Sequence, residues 1–357
     1  MAARPAVGLD IGTSGVRAAE LTTGKRPMVL EKFGQVALPP GAVVNGEVVD
    51  VDAVALALKE LWGKTKFRTK RVIVGVSNQK VVVRQVDLPW LPPADFRKSL
   101  SFQVQDYIPM PVEQAVLDFH PLEEFTNESG GRMLRVLLVA ASSEMVQRTV
   151  AAVQQAGLSP VMIDLTPFAL LRGMAQIDEL GLSGAEAEAL VDVGASVTNI
   201  IVHQGGVPRF VRILLMGGAD ITEAVSERIG MDIEQAEAVK QQTGMAEEPG
   251  VTTADSAPAD RAIEAGGAAF VEEVRGSLDY YLAQPGSVDV KRIVLSGGGS
   301  QLRGLAARLS LSSRLPVVPG TAMSALTVGK VGLTDEQLSA VAPLASVPVG
   351  LAMGIAS

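Results

Sequence analysis

Two aspartate residues stand where a carboxylate could bind a metal ion. Asp10 lies in the apolar stretch VGLDIGTSGV of residues 7–16, and Asp192 lies in the similar stretch LVDVGASVT of residues 190–198. Each aspartate follows a strand-like run and precedes a turn of small residues. Mg²⁺ prefers a few carboxylates together with waters and phosphate oxygens. Two such hairpins facing each other across a cleft would hold Mg²⁺ and a nucleoside triphosphate; the alternative is that both are ordinary β-turns.

A glycine-rich turn at residues 296–300, of sequence SGGGS, adds a third feature of this kind. It follows the apolar run Ile-Val-Leu and precedes leucines at positions 302, 305 and 309, which have helical spacing. A strand, a glycine turn and a helix in this order direct main-chain N–H groups toward an anion. The single Gly-Lys-Thr of the sequence, at residues 63–65, lacks the glycine five positions earlier that a Walker loop requires, and no GxGxxG motif follows a strand. We therefore predict nucleotide contact without a P-loop or a dinucleotide-binding fold.

The composition excludes several classes of protein. The 357 residues carry 31 Lys and Arg against 39 Asp and Glu, a net charge of −8, which argues against a nucleic-acid-binding protein. There is no cysteine, so disulfides, thiolate-bound metals and thiol nucleophiles are excluded. With 47% hydrophobic residues, the chain can bury a large core. The 182-residue offset between Asp10 and Asp192 is about half the chain, which predicts two related domains.

Other segments bear on location and order. Residues 338–357 carry no charge over the length of a membrane span, but Pro343 and Pro348 interrupt them. We predict that they form a buried strand, turn and helix. The N-terminal residues show no signal-peptide pattern, so we expect a cytoplasmic protein. Residues 243–261, rich in Gly, Pro, Ser and Thr, are predicted to form a mobile loop.

The three turn motifs resemble the phosphate-1, phosphate-2 and adenosine motifs of the actin-like ATPase superfamily, which includes actin, DnaK-type chaperones, sugar kinases and FtsA. The resemblance implies an α/β fold in which two related domains surround a cleft for ATP and Mg²⁺. It also implies that Asp10 and Asp192 organise the metal, and that Arg17 touches the phosphates. Glu237 and Lys240 would hold the ribose and base. The other nucleotide contacts that it implies come from the turns: Gly12, Thr13, Ser14, Gly194, Ala195, Ser196, Gly297, Gly298, Gly299 and Ser300.

Three further stretches narrow the resemblance to the PilM family of type IV pilus assembly proteins, which are relatives of FtsA. Residues 103–111 are similar to a helix and proline-containing turn of that family. Residues 164–172 are similar to its helix between the two halves, and residues 350–354 to its closing segment. The resemblance implies a small inserted α/β subdomain like that of FtsA.

The same resemblance implies a division of the chain into four units. They are a first actin-like domain (residues 1–75 and 160–189, with a closing helix at 350–357), the inserted subdomain (76–159), a second actin-like domain (190–220 and 289–349), and a lid subdomain with the mobile loop (221–288).

Departures from the superfamily pattern lower the expected rate of ATP hydrolysis. Ala195 stands where actin has a second acidic residue. The residue that orients the attacking water would lie near Asp164, which could act as a general base if it faces the cleft. The alternative is that Asp164 caps the next helix. We expect nucleotide binding with slow or no turnover.

The resemblance to the PilM family implies a cytoplasmic scaffold at the inner face of the cell membrane, held there through its partners. It would dock the N-terminal cytoplasmic tail of a PilN-type protein in a groove between the first domain and the inserted subdomain. The inner-membrane complex of the pilus and its motor ATPases are implied as wider partners, and nucleic acid is not.

Two other functions stay open at the level of the sequence. A carbohydrate kinase of the same fold would match the Asp-x-Gly-Thr-Ser run at Asp10 equally well, but it needs a carboxylate base beside the sugar. An FtsA-like division protein would anchor itself through a basic amphipathic C-terminal helix. Residues 338–357 contain no basic residue, so direct anchoring is not expected.

Overall fold

The computed structural model describes residues 5–22, 27–175, 186–250 and 257–354. Its strands are β1 (Val7–Ile11), β2 (Gly15–Leu21), β3 (Val29–Ala37), β4 (Val43–Val44), β5 (Glu47–Val48), β6 (Arg71–Val76), β7 (Val81–Pro89), β8 (Ala115–Thr126), β9 (Arg132–Ser142), β10 (Ser159–Leu165), β11 (Ala187–Val193), β12 (Thr198–Gln204), β13 (Val207–Leu214), β14 (Val290–Ser296), β15 (Val317–Pro319) and β16 (Thr327–Val328). Its α-helices are α1 (Val51–Thr65), α2 (Pro93–Gln103), α3 (Ser143–Gln155), α4 (Thr166–Met174), α5 (Gly218–Ile229), α6 (Ile233–Thr243), α7 (Pro258–Leu282), α8 (Leu305–Ser313), α9 (Asp335–Val341) and α10 (Ser346–Met353).

A six-stranded sheet of order β10-β6-β1-β2-β3-β16 forms the first half of the molecule. β1 pairs in parallel with β6 and antiparallel with β2. Successive side chains of a strand point to opposite faces, and both faces of β6 are covered. Val72 and Val74 pack with Leu58 of α1. Ile73 packs on the other face with Leu351 of α10. This double covering explains why the central strands are apolar almost throughout.

A five-stranded sheet of order β13-β12-β11-β14-β15 forms the second half. β11 pairs in parallel with β14 and antiparallel with β12, as β1 does with β6 and β2. Val225 of α5, Phe270 of α7 and Leu309 of α8 pack against one face. Leu190 and Val294 belong instead to a core cluster that includes residues of the first half. The repeated strand arrangement confirms the prediction of two related α/β halves.

A three-stranded antiparallel sheet of order β7-β9-β8 forms a smaller unit. Phe96 and Leu100 of α2 pack with Val136 and Leu138 on one of its faces. β6 and β10 flank this unit in the chain and are neighbours in the first sheet. It is therefore an insertion into the first half, as predicted. The limits of the four predicted units stay a prediction.

The C-terminal segment differs from the predicted strand, turn and helix, because it is helical where it is described. α9 begins with a capping box in which Thr334 and Gln337 exchange hydrogen bonds. A 3-10 turn over Ala342–Ala345 leads into α10. Pro348 is compatible with this helix because the first turn needs no intrahelical N–H donor. The closing helix therefore begins at Ser346 rather than at residue 350, and residues 355–357 lie outside the described part.

The loop predicted at residues 243–261 is shorter than expected. α7 already begins at Pro258, a residue whose fixed φ suits the first helical position. Residues 251–256 lie outside the described part of the chain, so the prediction of mobility is not tested there. In the described ranges, no helix combines the length and apolarity that crossing a membrane would require.

Candidate functional site

The two aspartates occupy equivalent positions in the two halves. Asp10 is paired across the hairpin with Arg17 of β2, and Asp192 is paired in the same way with Asn199 of β12. The turns of both hairpins are closed by the same main-chain hydrogen bond. The N–H of residue 12 donates to the carbonyl of residue 15 at 3.0 Å, and the N–H of residue 194 donates to the carbonyl of residue 197 at 3.0 Å. The sequence similarity of the two motifs therefore corresponds to one repeated turn.

The electrostatics of the two carboxylates indicate a site for positive charge. Burial, together with a smaller contribution from the charge of Asp10, raises the pKa of Asp192 to about 6, although a hydrogen bond from Ser296 opposes the rise. Burial also raises the pKa of Asp10, although nearby Arg17 opposes this. The Arg17 guanidinium lies 3.6 Å from the Asp10 carboxylate. Arg17 thus opposes the rise in pKa at both carboxylates, whereas the charge of Asp10 disfavours the ionisation of Asp192.

These residues fit a divalent cation that completes its shell with other oxygens. The described residues include no group of three or more Asp, Glu or His side chains that could hold a metal ion. Mg²⁺ usually takes only one or two protein carboxylates when phosphates and waters supply the rest. Asp10 and Asp192 match that donor set.

A cavity of about 860 Å³ lies between the two halves and contains both aspartates in its lining. Its size is within the usual range for ligand pockets. The predicted site residues that line it are Asp10, Gly12, Thr13, Ser14, Arg17, Asp192, Gly194, Ala195, Glu237, Lys240, Gly297, Gly298 and Gly299. Ser196 and Ser300 are not in this lining, and the Ser300 hydroxyl instead donates to the Gly297 carbonyl at 2.6 Å. The fold thus brings most of the predicted residues to one cavity.

The glycine turn after β14 requires glycine at its first position. Gly297 has φ +85° and ψ 166°, a region that side chains almost exclude. A Cβ atom there would lie 2.4 Å from the Val193 carbonyl oxygen. The next residues form a 3-10 turn over Gly298–Gln301, and α8 begins only at Leu305. The predicted order of strand, glycine turn and helix is therefore present, but Leu302 lies before the helix, because Gly304, with φ +80°, redirects the chain first.

Lys240 and Glu237 of α6 lie at the cavity wall, but Lys240 is already fully engaged. Its ammonium group donates to the Gly218 carbonyl at 2.8 Å and to the Thr222 hydroxyl at 2.8 Å, and lies 2.7 Å from the Glu237 carboxylate. Burial alone would raise the pKa of Glu237, but the hydrogen bonds from Lys240 and Thr222 outweigh it and the pKa is lowered. Lys240 therefore braces α6 against the start of α5.

Comparisons with known protein families and with solved structures agree on one family. The family model described as type IV pilus assembly protein PilM matches residues 8–355. The chain belongs to the PilM family. A chain in the solved structure of a PilM-PilN type IV pilus biogenesis complex is similar to it, with 30% identity, a TM-score of 0.85 and 99% of both chains covered.

More distant relatives of this PilM-family chain include FtsA proteins. It is 26% identical to the cell division protein FtsA of Bacillus subtilis (strain 168) over 67% of this chain and 58% of that protein, so it spans less than two thirds of that relative. FtsA of Neisseria meningitidis serogroup B is 26% identical over 87% of this chain and 82% of that protein. MreB5 of Spiroplasma citri bound to ADP is similar in structure, with a TM-score of 0.56, 12% identity and 99% and 98% of the two chains covered. These likenesses confirm the actin-like ATPase fold.

Asp164, predicted as a possible general base, is not among the residues that line the cavity. Thr166, the first residue of α4, lines the cavity instead. The Asp164 carboxylate pairs with Arg172 of α4 and also accepts a hydrogen bond from the Leu165 N–H at 2.8 Å. It is not the helix cap either, because α4 has no side-chain cap. The ion pair ties the end of β10 to the helix that follows.

Several cavity residues were not predicted from the sequence. Ser77 and Asn199 line the cavity, and Ser296 donates a hydrogen bond to Asp192 at 2.8 Å. Gly218, at the start of α5, also lines it, and its N–H donates to the Gly194 carbonyl at 3.0 Å. The run Met-Gly-Gly-Ala-Asp at residues 216–220 offered a signal for this turn, since it places two glycines before a helix.

Proposed function

We propose that the protein is a nucleotide-binding scaffold of type IV pilus assembly. In this proposal Mg²⁺ and ATP bind between the two halves, and the N-terminal cytoplasmic tail of a PilN-type protein docks on the first half. The observation that carries the nucleotide part is a pair of carboxylates, the partly buried Asp10 and the buried Asp192, that line one cavity together with residues of three turns.

The triphosphate would lie between the two hairpins. Mg²⁺ bound there would neutralise phosphate charge and join the phosphates to Asp10 and Asp192. Arg17 supplies a guanidinium on the same side, and its NH2 group already donates to the Ser14 hydroxyl at 3.2 Å. Main-chain N–H groups of the turns provide further donors for anionic oxygens.

The nucleoside would extend into a smaller adjoining cavity of about 270 Å³. Its apolar lining includes Val193, Ile221 and Phe270, whereas Gln241 and Gln301 contribute polar groups. An apolar pocket with a few polar groups suits a flat heterocyclic base. We expect slow hydrolysis, because Asp164, the carboxylate nearest in sequence to the water-orienting position, is engaged with Arg172.

The peptide part of the proposal rests on β10. This strand is the edge of the first sheet, next to the inserted unit, and its side chains Val161 and Met162 are 37% and 43% exposed. An extended peptide can add to a sheet edge through main-chain hydrogen bonds while side-chain pockets give specificity. The similar chain belongs to a solved PilM-PilN complex, which favours a PilN-type tail as the ligand.

Titration calorimetry tests both parts with a synthetic PilN-type tail. We expect Met162→Asp to lose tail binding about tenfold or more, since it puts a charge on an apolar contact, and to retain ATP binding. Leu311→Asp is the matched control, because Leu311 is also exposed, at 57%, but lies on α8 of the second half. Equal tail affinity in both variants would contradict docking at β10. Sugar-stimulated ADP release without tail binding would favour the kinase alternative.

A further inference from the structure

One side-chain hydrogen bond crosses the cavity from the first half to the second. Ser77 directly follows β6 of the first sheet, and its hydroxyl donates to the side-chain carbonyl oxygen of Asn199 on β12 of the second sheet. Asn199 is only 4% exposed. A buried amide that loses its hydrogen-bond partner has no water to replace it, and this loss costs free energy. The contact therefore favours the arrangement of the two halves in which Ser77 and Asn199 meet.

Asn199 also contacts the carboxylate at the centre of the site. It lies directly across the hairpin from Asp192 and makes a side-chain hydrogen bond to it. Arg17 holds the equivalent position beside Asp10 in the first half. The second hairpin thus has a neutral amide where the first has a cation, and that amide connects Asp192 to Ser77.

Ser77 is held firmly by its own half. Gly46, between β4 and β5, lies so close that a Cβ atom would be 2.0 Å from the Ser77 carbonyl oxygen. The adjacent Asn78 is buried and accepts a hydrogen bond from the Lys80 N–H at 2.7 Å. The Lys80 ammonium pairs with Glu47 at 2.8 Å. Because this turn is fixed from several sides, Ser77 moves with the first half.

We propose that Asn199 is a positioning residue that couples the occupancy of the site at Asp192 to closure of the two halves through Ser77. A ligand shifts a conformational equilibrium only by its differential affinity for the two states. A cation bound at Asp192 would alter the hydrogen bond between the Asn199 side chain and the Asp192 carboxylate. The hydrogen bond from Ser77 to Asn199 would transmit this change to the first half, which carries β10. The ligand part of this inference rests on the proposed nucleotide function, whereas the link itself does not.

Distance measurement between spin labels tests the link without any ligand. The chain has no cysteine, so labels at Leu56→Cys on α1 and Leu311→Cys on α8 would be the only ones. Both side chains are exposed, at 65% and 57%. We expect Ser77→Ala to lengthen and broaden the distance distribution and Ser77→Thr, which keeps the hydroxyl, to restore it. Ser313→Ala, which loses a hydrogen bond within α8, should leave it unchanged. An unchanged distribution in Ser77→Ala would overturn the link.

A double-mutant cycle on Mg²⁺-dependent ATP binding tests the coupling. We expect Ser77→Ala to weaken binding about two- to tenfold. Because Ser77 acts through Asn199, the double variant with Asn199→Ala should bind no more weakly than Asn199→Ala alone. Additive losses would overturn the coupling. If the unaltered protein binds no ATP, the proposed nucleotide function fails, and the label distances still decide whether Ser77 links the two halves.

Discussion

Asp192 lies buried at the end of β11, and its pKa of about 6 makes the stability of the protein depend on pH. An aspartate in the unfolded chain has a pKa near 3.8. The folded protein therefore takes up the proton first as the pH falls from 7 to 5. This residue makes the free energy of unfolding larger at pH 5 than at pH 7, in the absence of metal and nucleotide.

Asp192→Asn removes that titration and gives the corresponding prediction. In denaturant titrations, we expect the stability of Asp192→Asn relative to the unaltered protein to be greater at pH 7 than at pH 5. Asp289→Asn is the control, because it makes the same change at an exposed position before β14. A difference for Asp192→Asn that stays constant from pH 5 to pH 7 would show that the carboxylate does not titrate in this range.

The residues that could be predicted at this scale are those with a charge or a glycine in a short motif. Asp10 and Asp192 stand out because a carboxylate is unusual within an apolar run. Asn199 and Ser77 are neutral and belong to no motif. Asn199 could have been found by its spacing, since it follows Asp192 by seven residues as Arg17 follows Asp10. Ser77 could not, because only the packing of the two halves brings it to Asn199.

At the scale of elements, the turn after β14 gives a test of the cavity wall. We expect Gly297→Ala to lower the free energy of unfolding by about 1–3 kcal/mol and to weaken ATP binding, since φ of +85° and the nearby Val193 carbonyl both oppose a side chain. Chemical denaturation and calorimetry measure the two effects.

Gly276→Ala is the control for this change. Gly276 lies within α7, and a Cβ atom there would meet nothing within 4 Å. The same substitution should raise stability by roughly 0.5–1 kcal/mol, because alanine is the better helix former. If Gly297→Ala is as stable as Gly276→Ala, then residue 297 accepts a side chain and the turn does not require glycine there.

The central strands of both sheets could be predicted because apolar, β-branched runs bounded by turns are a strong signal. The C-terminal segment could not. Residues 346–353 are apolar enough for a buried strand or a buried helix, and periodicity alone does not separate the two. Packing of α10 against β1 and α4 selects the helix. The orientation of the Asp164 side chain could not be predicted either, because it depends on an ion pair with Arg172, which lies eight residues later in α4.

At the scale of the whole molecule, one core cluster joins the two halves. Ile73 of the first sheet and Leu190, Ile201 and Val294 of the second belong to the same cluster. We therefore expect the halves to unfold together in a single transition. Fluorescence of the tryptophans Trp62 and Trp90 and far-ultraviolet circular dichroism should give coincident denaturation curves. Separated curves would contradict a single transition and show that the part carrying the tryptophans, the first half with its insertion, unfolds apart from the rest.

The measurement that tests the account most directly is calorimetric titration of ATP with and without Mg²⁺. The account predicts saturable, Mg²⁺-dependent binding that falls about tenfold or more in Asp10→Asn and in Asp192→Asn. Asp289→Asn should bind like the unaltered protein. Binding that persists in both cavity variants, or no binding by the unaltered protein, would contradict the claim that the two aspartates form a metal–nucleotide site.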